Sequence, residues 1–148
     1  MFQKIMKIAF LAAFVSVIGC SVLNPISPII SLGILWYQGE AKKYYATEQE
    51  LVYEATKNVL AEFKMPILEE EKDDNTIFIT AGDDDRFKIK ITTVRENVTK
   101  LSIRINMMGD QAYAEMIYRH VDEQPGVQQF ASLTQLNEAM ENKPRLRR

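Results

Sequence analysis

The chain has 148 residues, of which 47% are hydrophobic, and its 18 basic and 20 acidic residues leave a net charge of −2. This length fits a single folded domain. The acidic balance argues against a nucleic-acid-binding protein, which needs a net basic surface. A single cysteine, Cys20, leaves no second thiol for an intrachain disulfide, so the hydrophobic core alone must hold the domain together.

The first part of the chain has the organisation of a secretory signal. Lys4 and Lys7 form a positively charged start without an acidic residue, and an apolar run from 8 to 18 follows. This eleven-residue run is too short to cross a bilayer core of ~30 Å, which needs about 20 apolar residues. We therefore predict a signal peptide over residues 1–19.

The apolar run ends in Val17-Ile18-Gly19-Cys20, which resembles a bacterial lipobox. In a lipobox the cysteine thiol receives a diacylglycerol and the new amino terminus is acylated. Three acyl chains at ~0.8 kcal/mol per buried methylene hold far more firmly than one myristoyl chain. The alternatives are an unmodified, buried cysteine and an uncleaved membrane helix. Pro25 and Pro28 argue against that helix, since a proline inside a helix costs ~3 kcal/mol. We predict lipidation at Cys20 and a tether over residues 20–33.

The residue after the predicted lipidation site is Ser21. In Gram-negative sorting, a residue other than aspartate at this position avoids retention in the inner membrane. We therefore expect the lipid to hold the mature chain in the outer membrane of a bacterial cell envelope, on the periplasmic side. Because the signal peptide holds two of the 18 basic residues and no acidic one, the mature chain has a net charge of −4.

The first part of the mature domain combines a strand with a helix. Residues 34–46 are rich in aromatic side chains and have no helix start signal, which predicts one strand. Thr47-Glu48-Gln49-Glu50 has the pattern of a capping box, with Thr47 as the N-cap and Glu50 as its partner. Apolar spacings of three and four then predict a helix that buries Val52, Ala55, Val59, Leu60 and Phe63.

Four short strands and a second helix follow. The strands are predicted at 66–70, 76–81, 86–93 and 99–105, and the last three alternate apolar and polar residues. Such alternation is typical of a half-buried antiparallel sheet. Asp110 is the predicted N-cap of the second helix. The inner face of that helix is predicted to consist of Tyr113, Met116, Ile117 and Val121.

These elements predict an α+β domain over residues 34–123. Because apolar faces must meet, two helices are expected to pack on one face of an antiparallel meander sheet, in the order β-α-β-β-β-β-α. Residues 124–148 are predicted to be a C-terminal extension, since Pro125-Gly126 breaks the chain. The extension ends in the basic tail KPRLRR. Before the tail, Ser132 and Gln135 are placed to cap a short helix with Leu133, Leu136 and Met140 on one side.

The residue types argue against catalysis and against a metal site. His120 is the only histidine, and no G-x-S-x-G motif accompanies it. One histidine and no free thiol exclude an ordinary zinc site. The acidic runs at 69–74 and 83–85 lack the spacing of a calcium-binding loop and are interpreted as solvated turns. We therefore predict a protein that is not an enzyme and uses no cofactor or metal.

One patch of like charge lies on regular structure. Lys88 and Lys90 alternate with apolar residues on one predicted strand, and Lys100 and Arg104 do so on the next. The pleat directs these four side chains away from the core. They form either a solvated face neutralised by acidic turns or a surface that contacts an acidic protein, a lipid headgroup or a cell-wall polymer.

Several short segments together carry a resemblance to other proteins. In chain order they are VIGC at 17–20, YQGE at 37–40, KYY at 43–45, VYEAT at 52–56, EEKD at 70–73, TKLSIR at 99–104 and GDQ at 109–111. Their order and spacing resemble a family of short bacterial envelope lipoproteins whose domain has no established function. The resemblance covers roughly residues 5–123 and implies a small α+β domain in the envelope, with no activity or site attached.

We therefore expect a membrane-anchored envelope adaptor or accessory subunit that docks on another envelope component. The alternative is a periplasmic carrier of a lipid or another small ligand. A carrier needs a hollow of more than ~300 Å³ between helices and sheet. The predicted inward side chains are large enough to fill a small core, which favours the adaptor.

Overall fold

The computed structural model describes residues 29–31, 33–83, 87–106 and 109–141. The signal peptide, Cys20 and the KPRLRR tail lie outside the described residues, so the predictions that concern them stay predictions. The described helices are all too short or too polar to span a bilayer. In chain order the described elements are β1 (Ile29–Ser31), β2 (Ile34–Tyr37), β3 (Glu40–Tyr45), α1 (Gln49–Glu62), β4 (Ile67–Asp73), β5 (Thr76–Ala81), β6 (Phe87–Arg95), β7 (Val98–Ile105), α2 (Gln111–Asp122) and α3 (Leu133–Glu141).

The described strands form one antiparallel sheet in the order β1-β2-β3-β7-β6-β5-β4. Two meanders, β1 to β3 and β4 to β7, are joined by α1, and β3 pairs with β7 near the centre of the sheet. The predicted α+β class with an antiparallel sheet is therefore confirmed. The strands predicted at 76–81 and 99–105 are found at Thr76–Ala81 and Val98–Ile105.

The core lies between the sheet and the two helices α1 and α2, which pack on one face as predicted. Alternate residues of β5, β6 and β7 point into it, because their apolar residues repeat with the period of the pleat.

Tyr118 of α2 is fully buried, although the sequence did not indicate it. Its hydroxyl lies 2.8 Å from the carbonyl oxygen of Ala41 and 2.9 Å from that of Leu101. Because the hydroxyl has these two acceptors, the burial of Tyr118 does not leave its polar group without a hydrogen bond. Met116, predicted to face the core, is only partly buried.

The single strand predicted over residues 34–46 is wrong, because this segment is a hairpin. Leu35 of β2 pairs with Lys42 of β3, and Gln38 and Gly39 form the turn. Both turn residues have a positive φ, 50° and 75°, as a tight two-residue hairpin turn requires. The turn shifts the alternation by one residue, so Lys43 is buried on the inner face while Lys42 points outward.

The predicted capping box at Thr47 is also wrong. α1 begins at Gln49 with Glu48 as its N-cap residue, and the side chain of Glu48 makes no capping hydrogen bond. Thr47 is buried, and its hydroxyl accepts a hydrogen bond from the backbone N–H of Gln128 at 2.7 Å. A tertiary contact with the C-terminal segment therefore uses the hydroxyl that the local pattern assigns to the helix.

The start of α2 lies directly against the turn between β2 and β3. Asp110 is the N-cap, as predicted, and its carboxylate accepts a hydrogen bond from the backbone N–H of Tyr113 at 3.0 Å. Gly109 has a φ of 77°, and a Cβ atom at this position would lie 2.5 Å from the carbonyl oxygen of Gly39. Only glycine fits this close approach, which brings the YQGE and GDQ segments together.

Both ends of the predicted domain continue into described structure. Ile29–Ser31, within the predicted tether, forms β1 and pairs with β2. After α2, the backbone N–H of Ala46 donates to the carbonyl oxygen of Gln128 at 2.8 Å. The short helix predicted in the extension is confirmed as α3, and its Ser132 hydroxyl accepts from the backbone N–H of Gln135 at 3.2 Å. The boundaries at residues 33 and 123 stay predictions, and contacts cross both.

Candidate functional sites

The outer face of the sheet, opposite α1 and α2, carries the four basic residues that the sequence singles out. Lys88 and Lys90 alternate on β6 with buried apolar residues. On the adjacent β7, Lys100 and Arg104 point to the same side, and the register places Lys88 opposite Arg104. The structure therefore brings the predicted residues together on two neighbouring strands inside the sheet.

A fifth basic residue, Lys42 of β3, belongs to the same face. Its register partner is Ser102 of β7, whose partner on the other side is Lys90. The sequence pattern did not indicate Lys42, because its direction depends on the Gln38-Gly39 turn. Recognition of that turn would have revealed it. We define the basic face as Lys42, Lys88, Lys90, Lys100 and Arg104.

Few of the described carboxylates lie close to the basic face. Lys42 pairs with Glu40 at 2.9 Å, and Arg104 donates to a backbone carbonyl oxygen at 3.3 Å. Among the described residues, no carboxylate oxygen lies within 4.0 Å of the ammonium nitrogen of Lys88, Lys90 or Lys100. The positive charge of these three lysines is therefore not compensated by an ion pair in the described part of the chain.

The centre of the basic face combines this charge with an unsatisfied hydroxyl. Partial burial lowers the pKa of Lys100, and the positive charges of Lys42 and Lys90 lower it further. Ser102 lies between these lysines and is only 1% exposed. Its hydroxyl has no hydrogen-bond partner among the described residues. A buried hydroxyl without a partner is uncommon and needs an explanation.

The acidic residues of β4 lie at the edge of the sheet. Glu71 pairs with Phe78, which in turn pairs with Lys90, so two strand spacings, or about 10 Å, separate Glu71 from Lys90. Glu70 points to the opposite face, where the hydroxyl of Tyr53 donates to it at 2.8 Å.

The described histidine, aspartate and glutamate side chains form no group of three that would suit a metal ion.

A cleft of about 750 Å³ lies beside the start of β2 and the end of β3, and α2 and the segment around α3 form its other walls. α3 itself contains no buried residue. The cleft volume exceeds the ~300 Å³ at which small-ligand sites begin. Its lining is mixed and includes the apolar Ile34, Phe130, Leu133 and Leu136 and the polar Lys43, Glu115 and Arg119.

A buried ion pair lies at one wall of the cleft. Lys43 pairs with Asp122 and also donates to the side chain of Gln129 at 3.1 Å. The hydroxyl of Tyr45 donates to the second oxygen of Asp122 at 2.9 Å. Burial raises the pKa of Tyr45 well above its ordinary value, and the charge of Asp122 raises it further, so the phenol stays a neutral donor. Every charge in this network is thus compensated, which is the arrangement expected of a structural ion pair.

His120, the only histidine, makes contacts that suit a structural role. Its Nδ1 atom lies 3.6 Å from a carboxylate oxygen of Glu62 on α1. Its ring packs edge-on against Phe63, with the ring centroids 4.8 Å apart. His120 lies in the last turn of α2, where a positive charge is favourable to the helix dipole.

Taken as a class, the chain is a two-layer α+β domain, and no described helix packs on the basic face of its sheet. The family described as "Protein of unknown function (DUF3568)" matches residues 4–124. Because this match covers most of the chain, the protein belongs to that family. No curated protein matches the sequence. The resemblance to a domain of unknown function is therefore confirmed, while its lipoprotein part stays a prediction.

Proposed function

We propose that the protein is a lipid-anchored adaptor of the bacterial envelope, and that its basic face docks on an acidic envelope partner. The lipid on Cys20 would hold the domain at the outer membrane, on the periplasmic side. The domain would act by binding and not by catalysis. The lipobox supports the anchor, and the geometry of the sheet supports the docking.

The observation that carries the proposal is the positive charge inside the sheet, which no ion pair within the described residues compensates at Lys88, Lys90 or Lys100. Like charges on adjacent strands destabilise a sheet slightly. Exposed ion pairs contribute only ~0–1 kcal/mol each, so even a neutralised face would add little to stability. An acidic partner, by contrast, would neutralise Lys88, Lys90 and Lys100 and would be steered to the face by their field.

Aromatic side chains beside the basic face also favour docking. Phe78 is 40% exposed and Tyr37 is 43% exposed. Lys90 lies 5.2 Å from the ring centroid of Phe78, and Lys42 lies 5.8 Å from that of Tyr37. Aromatic residues are enriched in protein interfaces, so these two exposed rings support docking at this face.

Site-specific crosslinking in cells tests the proposal. A photoreactive phenylalanine analogue replaces Phe78 on the outer face, and in a control strain it replaces Leu51 on α1, which is 47% exposed. We expect a crosslinked envelope partner from position 78 and not from position 51. No product from position 78, or the same products from both positions, would exclude docking through this face.

A second function, the carrying of a lipid or another small ligand, is favoured by the cleft of about 750 Å³. Its apolar walls and the guanidinium group of Arg119 would suit an amphipathic ligand with an acidic head. Binding of a fluorescent fatty acid to the purified chain tests this. Leu133→Glu changes the cleft and Leu68→Glu does not, although both leucines are 51% exposed. If the protein is a carrier, Leu133→Glu abolishes binding of the fatty acid and Leu68→Glu does not. If the unchanged chain does not bind the fatty acid, the carrier function is excluded.

A further inference from the structure

Ser102 is surrounded on the outer face by four basic residues. Across the strands its direct partners are Lys42 on one side and Lys90 on the other. Along its own strand, Lys100 and Arg104 are two residues away and therefore on the same face. Every nearest neighbour of Ser102 on this face is thus cationic.

Within the described part of the chain, the hydroxyl of Ser102 is a hydrogen-bond donor without an acceptor. It is 1% exposed and unpartnered, in a protein whose other buried hydroxyls of Thr47, Thr56 and Thr99 are all hydrogen-bonded. Leaving such a group unsatisfied costs free energy. An anion between the surrounding side chains would accept from the hydroxyl and neutralise the cations at the same time.

We propose that Ser102, Lys42, Lys90, Lys100 and Arg104 form a binding site for a phosphate group, which we call the Ser102 site. This inference rests on the proposed function, because it names the chemical group that the partner presents to the basic face. A phosphate dianion has more acceptor oxygens and more charge than a single carboxylate. Arg104 donates one N–H group to the carbonyl oxygen of Gln38 and has further N–H groups for the phosphate oxygens, the lysines act as point charges, and Ser102 donates its hydroxyl.

The local charge balance favours a dianion over a monoanion. Glu40 pairs with Lys42 and lies opposite Arg104 in the register, so one carboxylate already offsets part of the positive charge. Three cations remain in excess around Ser102. The lowered pKa of Lys100 has burial as its main cause and the charges of Lys42 and Lys90 as the next, and a bound phosphate would relieve that repulsion.

Phosphate titration of the full chain in neutral detergent tests the Ser102 site, with thermal unfolding and phosphorus NMR as readouts at constant ionic strength. We expect phosphate to raise the unfolding temperature more than chloride does. Lys90→Gln and Lys88→Gln form a matched pair, since both remove one charge from the same face of β6. Lys90 neighbours Ser102 and Lys88 does not, so we expect Lys90→Gln to weaken phosphate binding about tenfold and Lys88→Gln to weaken it much less. An equal loss in both variants, or no advantage of phosphate over chloride, would overturn the site.

Ser102→Ala gives an independent readout. Because the hydroxyl is unsatisfied without a ligand, this variant is expected to unfold at a higher temperature than the unchanged chain in phosphate-free buffer. It should nevertheless gain less from added phosphate. If the hydroxyl had only a structural role, Ser102→Ala would not raise the unfolding temperature in phosphate-free buffer while reducing the gain from added phosphate. The affinity for phosphate would also stay the same.

Two arms of the titration identify the source of the phosphate group. Inorganic phosphate represents the free ion, and glycerol 3-phosphate represents the headgroup of a phospholipid. Tighter binding of glycerol 3-phosphate supports a lipid source, and equal binding supports the free ion. Crosslinking from position 78 is scored separately. If the chain binds phosphate but gives no crosslinked partner, the Ser102 site stands and the proposed docking is refuted. If a partner is crosslinked but phosphate does not bind, the docking stands and the Ser102 site is refuted.

Discussion

The ammonium group of Lys43 and the carboxylate of Asp122 form an ion pair that joins β3 to the end of α2, across 79 residues of sequence. The side chain of Lys43 is 4% exposed, and that of Asp122 is 18% exposed. Lys43 also donates to Gln129, and Tyr45 donates to Asp122. Removal of one partner would leave the other charge buried without compensation, which is far more costly than the loss of a surface pair.

Asp122→Ala is therefore expected to destabilise the protein by about 3 kcal/mol or more. Glu54→Ala is the control, since it removes the partner of Lys57 from a pair whose side chains are 36% and 51% exposed. We expect the control to cost less than about 1 kcal/mol. Urea unfolding followed by circular dichroism measures both values. Similar losses in the two variants would mean that the Lys43–Asp122 pair is not an important tertiary contact.

A second prediction concerns the contact of Gly109 with Gly39. Gly109→Ala introduces a side chain at a φ of 77° and places its Cβ atom 2.5 Å from a backbone oxygen. Gly126→Ala is a matched control, because its φ is 84° but its Cβ atom would lie 3.9 Å from the flexible side chain of Leu51. The control should show only the cost of the backbone conformation, about 1–2 kcal/mol. Gly109→Ala should cost clearly more in the same unfolding measurement, and an equal cost would show that α2 shifts easily against the turn.

The fold was largely predictable because most of its information is local. The alternation in β5, β6 and β7 and the Asp110 cap require only neighbouring residues. The errors occurred where a distant contact decides the structure. The hydroxyl of Thr47 is engaged by Gln128, 81 residues later, and not by its own helix.

The candidate site was predictable only in part, for the same reason. Lys88, Lys90, Lys100 and Arg104 follow from the alternation of two strands. Lys42 depends on a hairpin turn without the usual Asn-Gly signal. The environment of Ser102 depends on the register of three strands, which no local pattern in the sequence specifies.

The C-terminal boundary gives a third prediction. A chain ending at residue 123 should still fold, but it loses the partly buried Val127, the three hydrogen bonds of Gln128 with Ala46 and Thr47, and the hydrogen bond from Lys43 to Gln129. We expect it to be less stable by about 4 kcal/mol, at roughly 1 kcal/mol for each hydrogen bond. A chain ending at residue 131 keeps these contacts and should match the full chain. Circular dichroism distinguishes these cases. If the chain that ends at residue 123 is unfolded, the domain boundary lies beyond Gln129.

The lipid anchor gives a fourth prediction. Cells that express the unchanged chain should incorporate a fatty-acid probe into the protein, and cells that express Cys20→Ala should not, because the thiol is the proposed acceptor. We expect the labelled protein in the outer-membrane fraction. Equal labelling of the two proteins would rule out Cys20 as the lipidation site, and recovery in the inner membrane would refute the proposed location.

The charge of the basic face is tested with two triple variants that lose the same number of positive charges. The basic-face variant replaces Lys88, Lys90 and Lys100 with glutamine. The control variant replaces three lysines that lie outside the basic face, namely Lys57, Lys64 and Lys72. All six side chains are at least partly exposed, so each variant should change stability only slightly.

The most direct measurement is the crosslinking yield from position 78 in these two variants, with unfolding curves to show that both remain folded. We predict that the basic-face variant loses most of its crosslinked partner, that raised salt has the same effect on the unchanged chain, and that the control variant keeps its yield. Equal yields from the unchanged chain and both variants would contradict a docking function for the basic face.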